Sequence, residues 1–189
     1  MVSRASTRAR LLDAADELFF TRGVTATPVD AVLERAGVSP ATLYRAYGSK
    51  EELVAAALER RLGEWLAVWD DAVAAAPDDR SRVLAVFDAL EVFHARPTGA
   101  RWCAFLGAAA EYADPPAVLA AALEADSATL RDRLRDLAGP VVGSRASEVA
   151  DELSLVVSGC LAMRLRGARP RGTEVARRVA DAVLAAAAR

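Results

Sequence analysis

The sequence predicts an all-α protein, and three observations carry that expectation. Ala supplies 44 of the 189 residues and shares most of the 53% hydrophobic content with Leu, while aromatics reach only 6%, so propensity summed over most windows favours helix over strand. Apolar residues recur at i, i+3, i+4 and i+7 through most of the chain. Gly and Pro punctuate the N-terminal stripes, at Gly23, Pro28, Gly37, Pro40 and Gly48, in the order that closes and opens helices. A chain of this length with 26% charged residues buries a real core in one or two domains. No apolar run exceeds seven residues (117–123 and 182–188), against about 20 needed to cross a bilayer, so no transmembrane helix and no membrane partner are expected.

The first helix is expected from Arg4 to Arg22. Leu11, Leu12, Ala15, Leu18 and Phe19 make one stripe, and Arg22-Gly23 ends it with a cation at the negative terminus and a residue free to take positive φ. Thr27-Pro28 reads as a cap followed by Pro at the first helical position, opening a short second helix with Val29, Val32, Leu33 and Ala36. Gly37 stops it. Ser39-Pro40 repeats the same grammar and opens a third helix whose inward residues are Leu43 and Tyr47. Ser49 caps a fourth, Glu51 and Glu52 place negative charge in its first turn, and Val54, Leu58, Leu62, Trp65, Leu66 and Trp69 carry its stripe to about residue 75. Five more helices are expected over 80–94, 99–112, 116–138 (ended by Gly139-Pro140), 145–166 and 172–188, giving nine in all and no strand.

Net charge is −2, but its distribution is uneven: residues 1–50 hold seven cations against five carboxylates, and the remainder is acidic. Asp13, Asp16 and Glu17 interrupt the start where a signal peptide would be apolar. Cys103 and Cys160 lack the spacing of a disulfide framework or a zinc site. A cytoplasmic protein is expected.

Two short helices joined by Ala36-Gly37-Val38-Ser39 make a helix-turn-helix candidate. In that motif the second helix enters the major groove, which presents Ser39, Pro40, Ala41, Thr42, Tyr44 and Arg45. Thr42 and Arg45 can donate to base acceptors, Ala41 can pack on a thymine methyl, and Tyr44 can donate to a phosphate. Two core helices with a polar outer face would show the same bare pattern.

The residue order narrows the choice. From Arg4 to Leu53, above all in the run AGVSPATLYRAYGSK at 36–50, the sequence closely resembles the DNA-binding domain of the TetR family of transcriptional regulators. The resemblance implies a helix-turn-helix domain, here residues 1–50, followed over 51–189 by a helical domain that binds a small ligand and dimerises through its last two helices. It puts Pro40, Ala41 and Thr42 against bases and Thr27, Tyr44 and Lys50 on phosphates. Lys50 also lies where a helix N-terminus already attracts a phosphate oxygen. Position 46 is Ala where the family carries a larger side chain, usually His; either Arg45 or the Tyr47 hydroxyl replaces the missing contact, or DNA binding is weaker.

In the rest of the chain, Trp65, Trp69, Phe87, Phe93, Trp102, Phe105 and Tyr112 are either core or the lining of an effector cavity oriented by His94, Cys103 or Glu111. Ser158-Gly159-Cys160-Leu161-Ala162 sets small residues in mid-helix. A Gly there costs about 1 kcal/mol relative to Ala, so another helix is expected close by, either within the chain or from a two-fold mate. The dimer reading places Val156, Gly159, Cys160, Ala162, Met163, Val179 and Val183 in the interface. One His, no phosphate loop, no GxSxG and no metal-ligand spacing leave no catalytic constellation, so no enzyme and no cofactor are expected. The sequence thus predicts a ligand-responsive regulator, a repressor on palindromic double-stranded DNA released by an apolar or aromatic effector. A helical enzyme with a carboxylate site and a redox-switched regulator are the alternatives.

Overall fold

The computed structural model describes residues 4–96, 103–166 and 172–188. Among them are nine α-helices: α1 (Arg4–Arg22), α2 (Val29–Ala36), α3 (Pro40–Tyr47), α4 (Lys50–Ala75), α5 (Asp79–His94), α6 (Ala104–Glu111), α7 (Ala117–Val142), α8 (Ala146–Leu165) and α9 (Glu174–Ala187). A single 3₁₀ turn, Gly143–Arg145, precedes α8, and the described residues contain no strand. The chain divides into two compact units. The first is Met1–Leu62 with Cys103–Glu124, and the second is Gly63–Trp102 with Ala125–Arg189. This division by compactness differs from a boundary after residue 50: the first half of α4, all of α6 and the start of α7 group with α1–α3.

In the first unit, Leu11, Ala14, Ala15, Leu18 and Phe19 of α1 are buried, the i, i+3, i+4, i+7 stripe of an amphipathic helix. They share a core with Val32, Leu33 and Ala36 of α2, Leu43 and Tyr47 of α3, Leu53, Val54, Ala57 and Leu58 of α4, Phe105 and Ala108 of α6, and Leu119 of α7. The turn between α2 and α3 is a Schellman motif. Gly37 takes φ 63°, its N–H donates to the Glu34 carbonyl at 3.1 Å, and the Val38 N–H donates to the Leu33 carbonyl at 3.1 Å. A side chain at position 37 would strain that left-handed conformation.

The second unit is built around fully buried Trp69 and Phe87, with Leu134 of α7, Val149 and Leu153 of α8 and Leu184 of α9. Asp78 caps α5 by accepting from the Ser81 N–H at 2.7 Å, and that backbone hydrogen bond holds its carboxyl below the usual range. Arg80 to Asp181 and Arg177 to Asp88 pin α9 along α5 at 2.8 and 2.7 Å.

Several boundaries differ from the sequence expectation. Pro28, not Thr27, is the N-cap of α2, because the Thr27 hydroxyl turns back to the Gly23 carbonyl at 2.7 Å. Ser39 occupies the N-cap of α3 without a capping bond, its Oγ lying 2.9 Å from Thr42 Oγ1. Ser49 does cap α4, accepting from the Glu52 N–H at 3.0 Å. Helix α6 starts only after Cys103, whose extended backbone (φ −92°, ψ 123°) prevents helix from running back through it. Helix α7 continues through Pro140 to Val142. The residue before Pro is Gly139, which has no Cβ to clash with the Pro ring and therefore tolerates the helical conformation that other residues avoid there.

Candidate nucleic-acid interface

Helix α3 is anchored from beneath by Leu43 and Tyr47 and turns Ser39, Pro40, Ala41, Tyr44 and Arg45 to solvent, with Thr42 and Ala46 partly covered. Tyr44 is an exposed aromatic at 53%, which leaves both its ring and its hydroxyl available. The outer edge of α3 thus offers hydroxyls, a guanidinium and a methyl, the donor and apolar groups that read base edges in a major groove. The Tyr47 hydroxyl points inward and lies 3.4 Å from the Arg8 carbonyl, to which it donates.

Two cations that the sequence pattern did not single out lie beside this edge. The Arg8 guanidinium stacks over the Tyr47 ring at 4.9 Å, and a Cβ added at Gly37 would sit 3.8 Å from Arg10 Nη1, so α1 brings exposed positive charge to the helix-turn-helix. The available signal was spacing: Arg8 precedes buried Leu11 by three residues and therefore shares its side of α1. Two other cations of this unit are matched by carboxylates, Arg35 by Glu17 at 2.6 Å and Arg60 by Asp13 at 2.7 Å.

Thr27 and Lys50 face the turn between α1 and α2. Thr27 is buried at 1% exposure. The Lys50 ammonium donates to the Val24 carbonyl at 2.6 Å and lies 5.6 Å from the centre of the Phe19 ring. Burial pulls its pKa below the usual lysine value, against the opposing pull of the Glu51 and Glu111 carboxylates. Glu111, a candidate effector contact by its sequence position, accepts hydrogen bonds from the Val24 N–H at 3.1 Å, the Thr25 N–H at 2.6 Å and the Thr25 hydroxyl at 2.8 Å.

The remaining candidates for effector contact are divided between the units. Cys103 and Phe105 join Glu111 in the first. In the second, Trp65 packs on Trp69 with centroids 5.5 Å apart and edge-on to Phe93 at 5.6 Å, Phe87 is buried in the core, and His94 ends α5. Arg133 lies over the Trp69 ring at 4.7 Å. The Trp69 indole N–H is fully buried and meets no acceptor among the described residues. Trp102 lies outside the described residues. A separate groove of about 550 Å³ in the second unit, floored by Val68, Ala72, Pro77 and Val92 and edged by Arg96 and Arg177, contains none of the effector candidates.

On α8 and α9 the small-residue segment is open. Gly159 is exposed, and an added Cβ would meet nothing within 4 Å among the described residues, so none of them makes a tight contact that accounts for that glycine. Met163 and Val179 are exposed with it, while Val156, Cys160, Ala162 and Val183 are half-buried. Leu155, 74% exposed, and Val175, 41% exposed, extend the same faces by one turn each beyond the residues read as interface.

Residues 11–57 match the family model described as bacterial regulatory proteins, tetR family. The chain is 37% identical over 86 residues to the HTH-type transcriptional activator FasR of Mycolicibacterium smegmatis, a match spanning 46% of this chain and 39% of that protein. It is 33% identical over 162 residues to the HTH-type transcriptional regulator BetI of Rhizobium meliloti, covering 82% of this chain and 73% of that one. The fold superimposes with a TM-score of 0.87 and 27% identity on SCO4454, a TetR-family transcriptional regulator from Streptomyces coelicolor, over 98% of this chain and 97% of that one. A helix-turn-helix built on a Schellman turn, read together with a relative matched across most of both lengths, leads to one conclusion: the chain belongs to the TetR family of DNA-binding transcriptional regulators.

Proposed function

We propose that this regulator is a cytoplasmic homodimeric repressor that occupies a two-fold operator and is released by a small apolar or aromatic effector. The observation that carries the DNA-reading part is the outer edge of α3. Ser39, Pro40, Ala41, Thr42 and Arg45 face the bases, and Tyr44 and Arg8 take phosphates. Thr27 and Lys50 act from behind, holding the turn that leads into α2.

Two-fold assembly is supported by the exposed apolar faces of α8 and α9, which carry Leu155, Met163, Val175 and Val179 around an open Gly159. A second copy would cover both faces at once in a four-helix arrangement. The effector reading is supported by Trp65, Trp69 and Phe93, whose rings form an apolar cluster with one buried, unpaired indole N–H. Leaving such a donor unpaired costs about 1–3 kcal/mol, and an acceptor on an aromatic effector would recover it. Trp65 and Trp69 lie on α4, which begins at Lys50, so a ligand that favours one position of this helix would change the separation of the two α3 helices.

The redox alternative is weakened by Cys160, whose thiol is pushed up by burial and so resists forming a reactive thiolate. Passing fragmented genomic DNA over the immobilised protein tests the reading. Retained fragments sharing one motif support it, whereas fragments without a common sequence would sink it.

A further inference from the structure

Glu111 stands in an unfavourable place for a carboxylate. It is the last residue of α6, where the helix dipole is negative, and the last turn of that helix contains no cation to offset it. Its carboxylate nevertheless accepts three hydrogen bonds from a turn 86 or 87 residues earlier in the chain: from the Val24 N–H, the Thr25 N–H and the Thr25 hydroxyl. Gly23 is shaped for this approach. It takes φ +100°, and a Cβ there would lie 3.2 Å from Glu111 Oε1. The opposite side of the same turn is held by Lys50, whose ammonium donates to the Val24 carbonyl. Val24 is therefore gripped through its N–H by α6 and through its carbonyl by α4.

The core does not need this grip. Thr25 is exposed and Glu111 half-buried, while α1 and α2 are already packed through Leu18, Phe19, Val32 and Leu33. What the grip determines is the course of the chain from α1 into α2, and α2 sets α3 through the Gly37 turn. We propose that Glu111 is a positioning residue for DNA binding, fixing the α1–α2 turn so that α3 is presented in its reading position. The proposal rests on the DNA-binding reading and adds to it a residue far from the helix-turn-helix in sequence.

The test uses full-length protein and a labelled duplex that the unaltered protein retains from genomic fragments. Thr25→Val removes one of the three donors with little change of shape, and Glu111→Gln removes the charge. Each should bind the duplex about tenfold more weakly, since hydrogen bonds to a charged group are among the stronger ones. The double variant should be no weaker than the worse single one, because both changes break one interaction. The dependence of affinity on salt should stay as in the unaltered protein, since no phosphate contact is lost. Amide exchange at Val24 and Thr25 should quicken in Glu111→Gln, with helical content unchanged.

Binding within about twofold of the unaltered protein for both single variants, additive losses in the double variant, or losses that only follow a fall in folded fraction would each overturn the proposal. If the unaltered protein itself retains no duplex, the DNA-binding reading fails and the proposal falls with it. Retention by the unaltered protein and equal retention by the variants overturns the proposal alone.

Discussion

Lys50 shows how a side chain picked out by its position in the sequence can have a partner that the sequence does not reveal. Its position at the start of α4 predicts a phosphate contact, and in the structure its ammonium donates one hydrogen bond to the Val24 carbonyl at 2.6 Å, a role in holding the turn. Lys50→Ala should therefore weaken DNA binding while leaving the slope of log affinity against log salt unchanged. A direct phosphate contact would instead lower that slope by about one unit, which titration at several salt concentrations resolves. Arg8→Ala should show the opposite pattern, a reduced slope, because its guanidinium is exposed beside α3. Asp126 on α7 offers a test of folding rather than binding. Burial pushes its carboxyl from 3.8 to about 6, so the native state holds a proton that the unfolded chain gives up. The resulting stability is full below the unfolded value and is lost as pH rises through about 6. Asp126→Asn, neutral throughout, should gain on the native protein more at about pH 8 than at about pH 4 in denaturant midpoints. An equal offset at both would contradict the shift.

Short helices punctuated by Gly and Pro proved the easiest elements to read. The ends of α2 and α3 follow from Gly37, Ser39 and Pro40, because each residue's backbone preference acts locally. Two other boundaries were harder to read: Gly139-Pro140 reads as a stop, although Gly before Pro lets α7 run on, and Cys103 takes an extended backbone so that α6 starts after it. The role of Glu111 had no local signal at all, since its partners lie at the far end of the first unit's sequence. On α8 the small-residue segment lies in open surroundings, which make the proposed two-fold contact directly testable. A Cβ added at Gly159 meets nothing within 4 Å among the described residues, so Gly159→Leu should leave the protomer folded and split the proposed dimer, as should Leu155→Glu. Sedimentation of both variants as protomers, with DNA affinity lower by about a hundredfold through loss of paired half-site binding, is the expected outcome. Variants that sediment as the unaltered protein does would place any interface elsewhere.

At the scale of the whole molecule, the sequence divides the chain by function after residue 50, whereas compactness groups α6 and the start of α7 with the N-terminal helices. Both divisions share α4, the 26-residue helix that carries Lys50 at one end and the Trp65–Trp69 pair toward the other. The aromatic residues of the C-terminal part could not be sorted into core and cavity by spacing, because both uses place large apolar side chains on the same helical stripe. Packing sorts part of them: Trp69 and Phe87 are buried to 0% and 1%, and Trp69 still carries an unpaired indole N–H. The central claim is that two copies of α3 read DNA together. Hydroxyl-radical footprinting on a retained genomic fragment tests it most directly. Two protected patches related by two-fold symmetry and centred about one helical turn apart, roughly 34–36 Å or a multiple of it, are the result this account predicts. A single protected patch, or protection spread evenly along the fragment, would contradict it.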